Sequence, residues 1–263
     1  MLKIKNYARA SSLQDAYELC QKRSNVVLGG MLWLKMQDRS VQTAIDLCDL
    51  GLDQIIEEPD CYRIGAMVSL RQLETHPGLN ALTQGALADA LKSIVGVQFR
   101  NLATVGGSVY GRFGFSDVLT MFLALDAKIR LYHRGELTAE EFAALPRGTR
   151  DILTEVIVYK RDIRAAYLSQ RNSATDFPVV ACAVCRIDGV YRCAVGARPG
   201  KAALLLDETG LLRPEADLDR AKQFGEWVSR KLEFGSNMRA GADYRRKVCA
   251  VLVRRGIMAL EEE

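Results

Sequence analysis

VQFRNLATVGGSVYGRFGFSD, Val97 to Asp117, sets four glycines, two arginines and a closing acid between two apolar helical stretches, ALADALKSIV before it and VLTMFLAL after it. Glycine opens backbone conformations closed to other residues and leaves N–H groups without Cβ obstruction. In Thr104 to Ser108, TVGGS, two such groups stand beside hydroxyls, an arrangement suited to an anion. A second pair, Gly29 and Gly30, closes the apolar run NVVLGG. Taken alone, each pair also reads as a tight turn; together they could hold a pyrophosphate. Asp117, after GFS, reads either as the cap of VLTMFLAL or as an acceptor for a ligand hydroxyl or N–H.

Around this stretch the chain alternates helices and short strands. SSLQDAYELCQKR carries Ser12 as an N-cap, with Leu13, Ala16, Tyr17 and Cys20 at helical spacing. NVVLGG, TAIDL and CYRIGAMV read as strands. SLRQLETHPGL begins a helix that must end near His76, because a residue before proline is pushed out of helical geometry. VLTMFLALDAKIRLY is helix and then strand, RDILTEVIVYK is a strand, and FPVVACAVCRIDGVYRCAVGAR is a hairpin turning at Asp188 and Gly189. From Glu215 two helices follow. In the last one Tyr244, Val248, Val251, Leu252 and Met258 are expected along one stripe, with Arg245, Arg246 and Arg254 away from it and Arg255 projecting into it.

The chain of 263 residues, 49% hydrophobic and 26% charged, is ordinary globular material of a size that divides into two domains. A net charge of +4 from 36 basic and 32 acidic side chains is too slight for a phosphate-tracking surface, which argues against nucleic acid. MLKIKNYARA lacks the apolar core of a signal peptide, and no run approaches the ~20 residues that cross a bilayer. A cytoplasmic protein without a membrane partner is expected. Seven cysteines in no compact pattern read as reduced thiols, and Cys182 and Cys185, on opposite faces of a strand, cannot share a metal. His76 and His133 are the only histidines and have no ligand-spaced neighbours, so neither a metal site nor a hydrolase is indicated. The phosphate loop ending GK[ST] and the GxGxxG after a first strand are both absent.

The whole chain resembles the FAD-binding medium subunits of the xanthine dehydrogenase and carbon monoxide dehydrogenase family of molybdenum hydroxylases. VVLGGMLWLKM is similar to the family's first flavin loop, AGGTDL after an apolar strand. QFRNLATVGGSV is similar to QIRNxATIGGN, FSDVLTMFLALDAKI to SDxxPxLLALDA, and RAGADYRRKVCAVLVRRGIMAL to the terminal helix; DFPVVACAV and GARPGKA sit where the family has its hairpin domain.

The resemblance implies an α+β fold: a two-subdomain FAD-binding domain of the PCMH, or vanillyl-alcohol-oxidase-like, type over residues 1–164, then a smaller domain of β-sheet and helices over 165–263. It implies FAD held by Val26, Val27, Leu28, Gly29, Gly30, Met31, Leu32 and Trp33, and by Ala103, Thr104, Val105, Gly106, Gly107 and Ser108. Ser116 and Asp117 would help to fix it, and Ile94 and Leu153 would flank the ring, no residue of the chain being catalytic. Electrons would come from a [2Fe-2S] subunit served by a molybdenum-cofactor catalytic subunit, and leave through FAD to NAD or another acceptor. A free-standing FAD-dependent oxidoreductase and a flavin-free structural subunit of the same complex are the alternatives. Met31, Ser108 and Gly114 depart from the family pattern, and Met31 has no side-chain donor for phosphate.

Overall fold

The computed structural model describes residues 1–208, 210–213 and 216–262. They form two compact units, one of Met1–Leu73, Val97–Gly111 and Lys128–Tyr159, the other of Glu74–Gly96, Arg112–Ala127 and Lys160–Glu263. The mixed α+β class is as expected.

In the first unit β1 (Lys3–Arg9) and β2 (Asn25–Val27) pair in parallel with β3 (Ser40–Asp46), in the order β1-β3-β2. Helix α1 (Leu13–Cys20) joins β1 to β2, and Ser12 caps it by accepting the Asp15 N–H. At its other end the Arg150 guanidinium donates to the carbonyls of Cys20, Lys22 and Arg23 at 2.6, 3.1 and 3.2 Å, satisfying groups that every helix end leaves open. The buried side of α1, Ala16 and Cys20, packs with Ile45, Leu47 and Ile152. An antiparallel sheet runs β4-β5-β8-β6-β7, from β4 (Ile55–Glu57), β5 (Cys61–Gly65), β6 (Lys128–Leu131), β7 (Gly135–Thr138) and β8 (Leu153–Tyr159).

The helix begun by SLRQLET is α2 (Leu70–Thr75); it stops before His76, whose Nδ1 accepts the Leu79 N–H and caps α3 (Pro77–Leu82). Helix α4 (Ala86–Lys92) follows. The glycine-rich stretch is less of a loop than its composition predicts. Val97–Leu102 is α5, and the glycine pair lies inside a second short helix, α6 (Val105–Tyr110), which Thr104 caps. Two adjacent glycines disfavour a helix by roughly 1 kcal/mol each; the cap and tertiary contacts described below override that preference.

In the second unit α7 (Asp117–Ala124) precedes an antiparallel sheet of order β12-β11-β10-β9, built from β9 (Ile163–Arg171), β10 (Pro178–Ile187), β11 (Val190–Gly196) and β12 (Ala203–Leu206). Asp188 and Gly189, at φ +49° and +78°, make the two-residue turn predicted for the hairpin. Nearly all of β10 is buried, since α7 and the last helix, Ala242–Glu261, both pack against it. That double cover explains a continuous apolar run in place of alternation.

Helix α8 (Ala139–Ala144) belongs to the first unit, whereas α9 (Leu218–Lys231) and α10 (Ala242–Glu261) close the second. Glu215, expected to begin the first of the terminal helices, lies outside the described residues. The stripe expected on the last helix is corrected: its buried face is Arg245, Cys249, Leu252, Val253, Gly256, Ile257 and Leu260, while Tyr244, Val251 and Arg255 are exposed. Close backbone approach sets this face. A Cβ on Gly256 would lie 2.8 Å from Val184 Cγ2, and one on Gly225 would overlap the Ala250 carbonyl. Arg245, only 1% exposed, donates to the Val179, Gly235 and Ala240 carbonyls and to Asn237 Oδ1.

Candidate functional site

The first unit brings the two glycine segments into contact. A Cβ on Gly29 would stand 2.8 Å from Thr104 Oγ1 and 3.5 Å from the Gly107 Cα; one on Gly30 would overlap the Leu102 carbonyl; one on Gly106 would stand 2.8 Å from the Ala66 carbonyl oxygen. Glycine at 30 and 106 is therefore required for backbone to meet backbone, whereas at 29 the tight contact is with the Thr104 hydroxyl. Gly107 differs: a Cβ there meets only Thr104 Oγ1, at 3.1 Å, and otherwise faces open space.

The N–H groups of the two segments have different fates. In the second, Val105 donates to Val68 O, Gly106 to Ala66 O, Gly107 to Thr104 Oγ1 and Ser108 to Thr104 O. In the first, Leu28 donates to Ile45 O, but among the described residues no protein acceptor takes the N–H groups of Gly29, Gly30, Met31 or Leu32. Met31 holds a left-handed backbone at φ +58°, and its carbonyl accepts the Lys35 N–H at 2.9 Å to close the turn. Successive unpaired N–H groups around a left-handed residue form a concave anion site. The Met31 side chain adds no donor, so its departure from a hydroxyl residue leaves the backbone groups to do this work.

Apolar walls adjoin these groups. Trp33, 46% exposed, meets Phe99 edge-on at 6.2 Å, and Leu102 is exposed beside Gly30. Val26 and Val27 form β2 and Ala103 is buried beneath the segment. Leu153 is buried on β8, next to Thr154, whose carbonyl accepts the Ala66 N–H.

Ile94, Ser116 and Asp117 belong to the second unit. Ile94 is half-buried just past α4 and is followed by Val95 at φ +51°, a conformation that β-branched residues rarely hold. Ser116, not Asp117, caps α7, its Oγ accepting the Leu119 N–H at 3.1 Å. The Asp117 carboxylate is buried and accepts hydrogen bonds from the Tyr167 hydroxyl and, at 2.8 Å, from Arg171. Burial pushes the Asp117 carboxyl above its ordinary range against the opposing pull of Arg171, and burial likewise raises the Tyr167 hydroxyl. Arg171 further donates to Ser169 Oγ and the Asp176 carbonyl, which fixes the 172–177 turn. Tyr167 and Arg171 escape a sequence reading because their partner lies some fifty residues away.

A polar recess of about 500 Å³ in the same unit is lined by Lys92, Ser93, Ser169, Arg171, Asn172 and Ser173, among others. All seven cysteines are free, and Cys48 alone is exposed. Cys182 lies in the core under α9 and α10; the neighbouring Cys249 thiol, by hydrogen bonding, and burial push its thiol far above the ordinary range, and burial pushes Cys185 up to about 12. Protonated buried thiols are poor metal ligands. Neither histidine is placed as a base: His76 caps α3, and His133 stacks on Tyr17 at 4.9 Å.

Comparison with known proteins places this geometry. Residues 2–159 match the family model described as FAD binding domain in molybdopterin dehydrogenase. The chain is 28% identical to the nicotine 6-hydroxylase medium subunit of Paenarthrobacter nicotinovorans over 272 residues, covering 96% of this chain and 95% of that one. Among solved structures, a chain of carbon monoxide dehydrogenase from Hydrogenophaga pseudoflava superposes with a TM-score of 0.86 at 23% identity, covering 97% of this chain and 96% of that one. A chain of quinoline 2-oxidoreductase from Pseudomonas putida 86 superposes at 0.81 with 18% identity, covering 99% and 97%. At these identities the structural likeness speaks to the fold.

Proposed function

Since the chain belongs to the family of FAD-binding domains in molybdopterin dehydrogenases, and is an FAD-binding oxidoreductase subunit, we propose that it relays electrons within a molybdenum hydroxylase complex. They arrive from [2Fe-2S] centres on one partner subunit, fed by a molybdenum-cofactor subunit, and leave through FAD to NAD or another acceptor. The division into an FAD-binding domain at 1–164 and a C-terminal domain at 165–263 is part of the same proposal.

The observation that carries this reading is the set of unpaired N–H groups at Gly29, Gly30, Met31 and Leu32 opposite the open face of Gly107. Four backbone donors without a protein partner fit the charge of a pyrophosphate, and the bare Gly107 face admits close approach. Trp33 supplies exposed apolar surface of the kind that keeps water from a flavin ring, and Leu153, buried on β8, is proposed to flank it from within the core. FAD, when bound, supplies two-electron and one-electron chemistry at that ring. On this reading the chain's own residues bind, orient and shield, and hydroxylation falls to the molybdenum-cofactor subunit.

Purification of the native protein from its source tests the assignment. Co-purifying subunits that carry molybdenum and iron support it, whereas a stable, active, lone flavoprotein contradicts it.

A further inference from the structure

Helix α10 carries two ordered faces. One, running from Arg245 to Leu260, packs on α9, β9 and β10. A helix turns about 100° per residue, so residues seven apart stand one above another after two turns. Tyr244, Val251 and Met258 keep that interval on the side opposite the buried face. Lys247 and Arg254 follow the first two of them by three residues, Val248 and Arg255 by four, and the whole forms one stripe about 21 Å long. Tyr244 is 49% and Val251 38% exposed; Lys247 and Arg255 are exposed, and Val248, Arg254 and Met258 are half-buried.

The cations of this stripe are not used inside the chain. Among the described residues no ion pair or hydrogen bond holds the side chain of Lys247, Arg254 or Arg255. The acids of the same helix are engaged or lie past its end: Asp243 is joined to Arg246 at 2.8 Å, Glu261 to Arg186 at 3.4 Å, and Glu262 stands one turn beyond Met258. A solvated helix face needs charge alone. Apolar groups recurring every seven residues with cations beside them make a seam on which another helix packs.

Charge decides among the occupants. A second copy packed antiparallel about Val251 would set Lys247 against the copy's Arg255, and a parallel copy would set each cation against itself. An anionic lipid surface is read by roughly four to eight clustered cations, more than the stripe carries. An acidic protein surface meets Lys247, Arg254 and Arg255 without repulsion, and the stems of these side chains extend the apolar area that a partner helix covers.

We propose that the outward stripe of α10, from Tyr244 to Met258, docks an acidic, helix-bearing surface of a partner subunit. The proposal rests on the electron-relay reading, which supplies the partners, and adds the face by which one of them is held. Tyr244, Val251 and Met258 form the apolar centre of the contact, and Lys247, Arg254 and Arg255 form its charged rim. Salt screens rim charges, so the contact loosens as ionic strength rises.

The native complex, purified from its source at low salt, tests the proposal in two ways. Carbodiimide joins an amine to a carboxylate with no spacer, so in the wild-type complex it should link Lys247 to an Asp or Glu of a partner subunit, identified by peptide mass. Lys247→Glu combined with Arg255→Glu should lower the molybdenum or iron bound per chain by about tenfold or more, like charge now meeting like. Lys247→Arg combined with Arg255→Lys should retain both metals. FAD per chain and the unfolding midpoint should not change in either variant, since both side chains are exposed. The cross-link needs no variant, and it decides the matter should the substitutions disturb folding. Full retention of molybdenum and iron by the glutamate variant, or Lys247 linked only within its own chain, overturns the docking face. A link to a second copy gives the stripe to self-association, and binding to phosphatidylserine vesicles that the glutamate variant loses gives it to a membrane; either result overturns the proposal. A wild-type chain that brings down neither metal contradicts the electron-relay reading and the docking face together, whereas metal kept by the glutamate variant overturns the docking face alone.

Discussion

Gly30 is pressed so closely on the Leu102 carbonyl that a Cβ at residue 30 would overlap the oxygen. Gly107, in the partner segment, faces open space apart from Thr104 Oγ1. The two glycines thus separate packing from binding. Gly30→Ala should lower both stability and flavin content, by about 2 kcal/mol or more for a forced backbone shift. Gly107→Val should leave the unfolding midpoint of the FAD-free chain nearly unchanged while flavin retention falls. Chemical denaturation and absorbance of the same preparations distinguish the two, and equal effects at both positions would remove the distinction.

Asp117 is held in a buried pair with Arg171 and also accepts from Tyr167. Removing one partner of such a pair typically costs about 3–5 kcal/mol, because the other charge is left buried without compensation. Asp117→Ala should therefore lower stability by that order and lower flavin occupancy with it. Calorimetric unfolding checks the first effect and the absorbance ratio the second; a fully stable Asp117→Ala chain would contradict the structural role.

Much of the fold was legible in local signals. Ser12 announced α1, Asp188 and Gly189 announced the hairpin, and Pro77 marked the break between α2 and α3. The misreadings have one physical cause, which is that close backbone approach leaves no apolar signature. The buried face of α10 is marked by Gly256 and by Arg245, not by the largest apolar side chains, and α6 forms through two glycines because Gly106 abuts Ala66. The glycine segments of the candidate site were legible too. That the first keeps its N–H groups unpaired while the second uses its own inside the chain depends on partners at Ala66 and Val68, which no local pattern discloses.

Arg245 makes the corresponding stability prediction. Its four hydrogen bonds go to three carbonyls and one amide oxygen, with no carboxylate among these acceptors. Arg245→Met should cost about 2–4 kcal/mol through acceptors left unsatisfied, and Arg255→Ala, on the exposed side, should fall within about 0.5 kcal/mol of wild type. Urea unfolding of the pair checks the corrected orientation of α10; the reverse order would restore the orientation expected from the apolar spacing.

Thiol chemistry reads the core independently. Cys48 is the one exposed cysteine, and burial pushes the Cys61 thiol up to about 11 and Cys185 up to about 12. A raised thiol value keeps the group protonated and unreactive at neutral pH. Native protein at pH 8 should react with one equivalent of a disulfide reagent, at Cys48, which exposure and not a lowered thiol value makes accessible, and denatured protein with seven, matching the cysteine count. Two or more fast thiols in the native state would contradict the packing around β10.

The central claim is that the unpaired N–H groups of Gly29 to Leu32 and the open face of Gly107 hold FAD. The visible spectrum of the purified chain, with the released cofactor identified and counted, tests it most directly. The account predicts flavin absorbance bands and about one FAD released per chain. A colourless chain that takes up no FAD on reconstitution would contradict it.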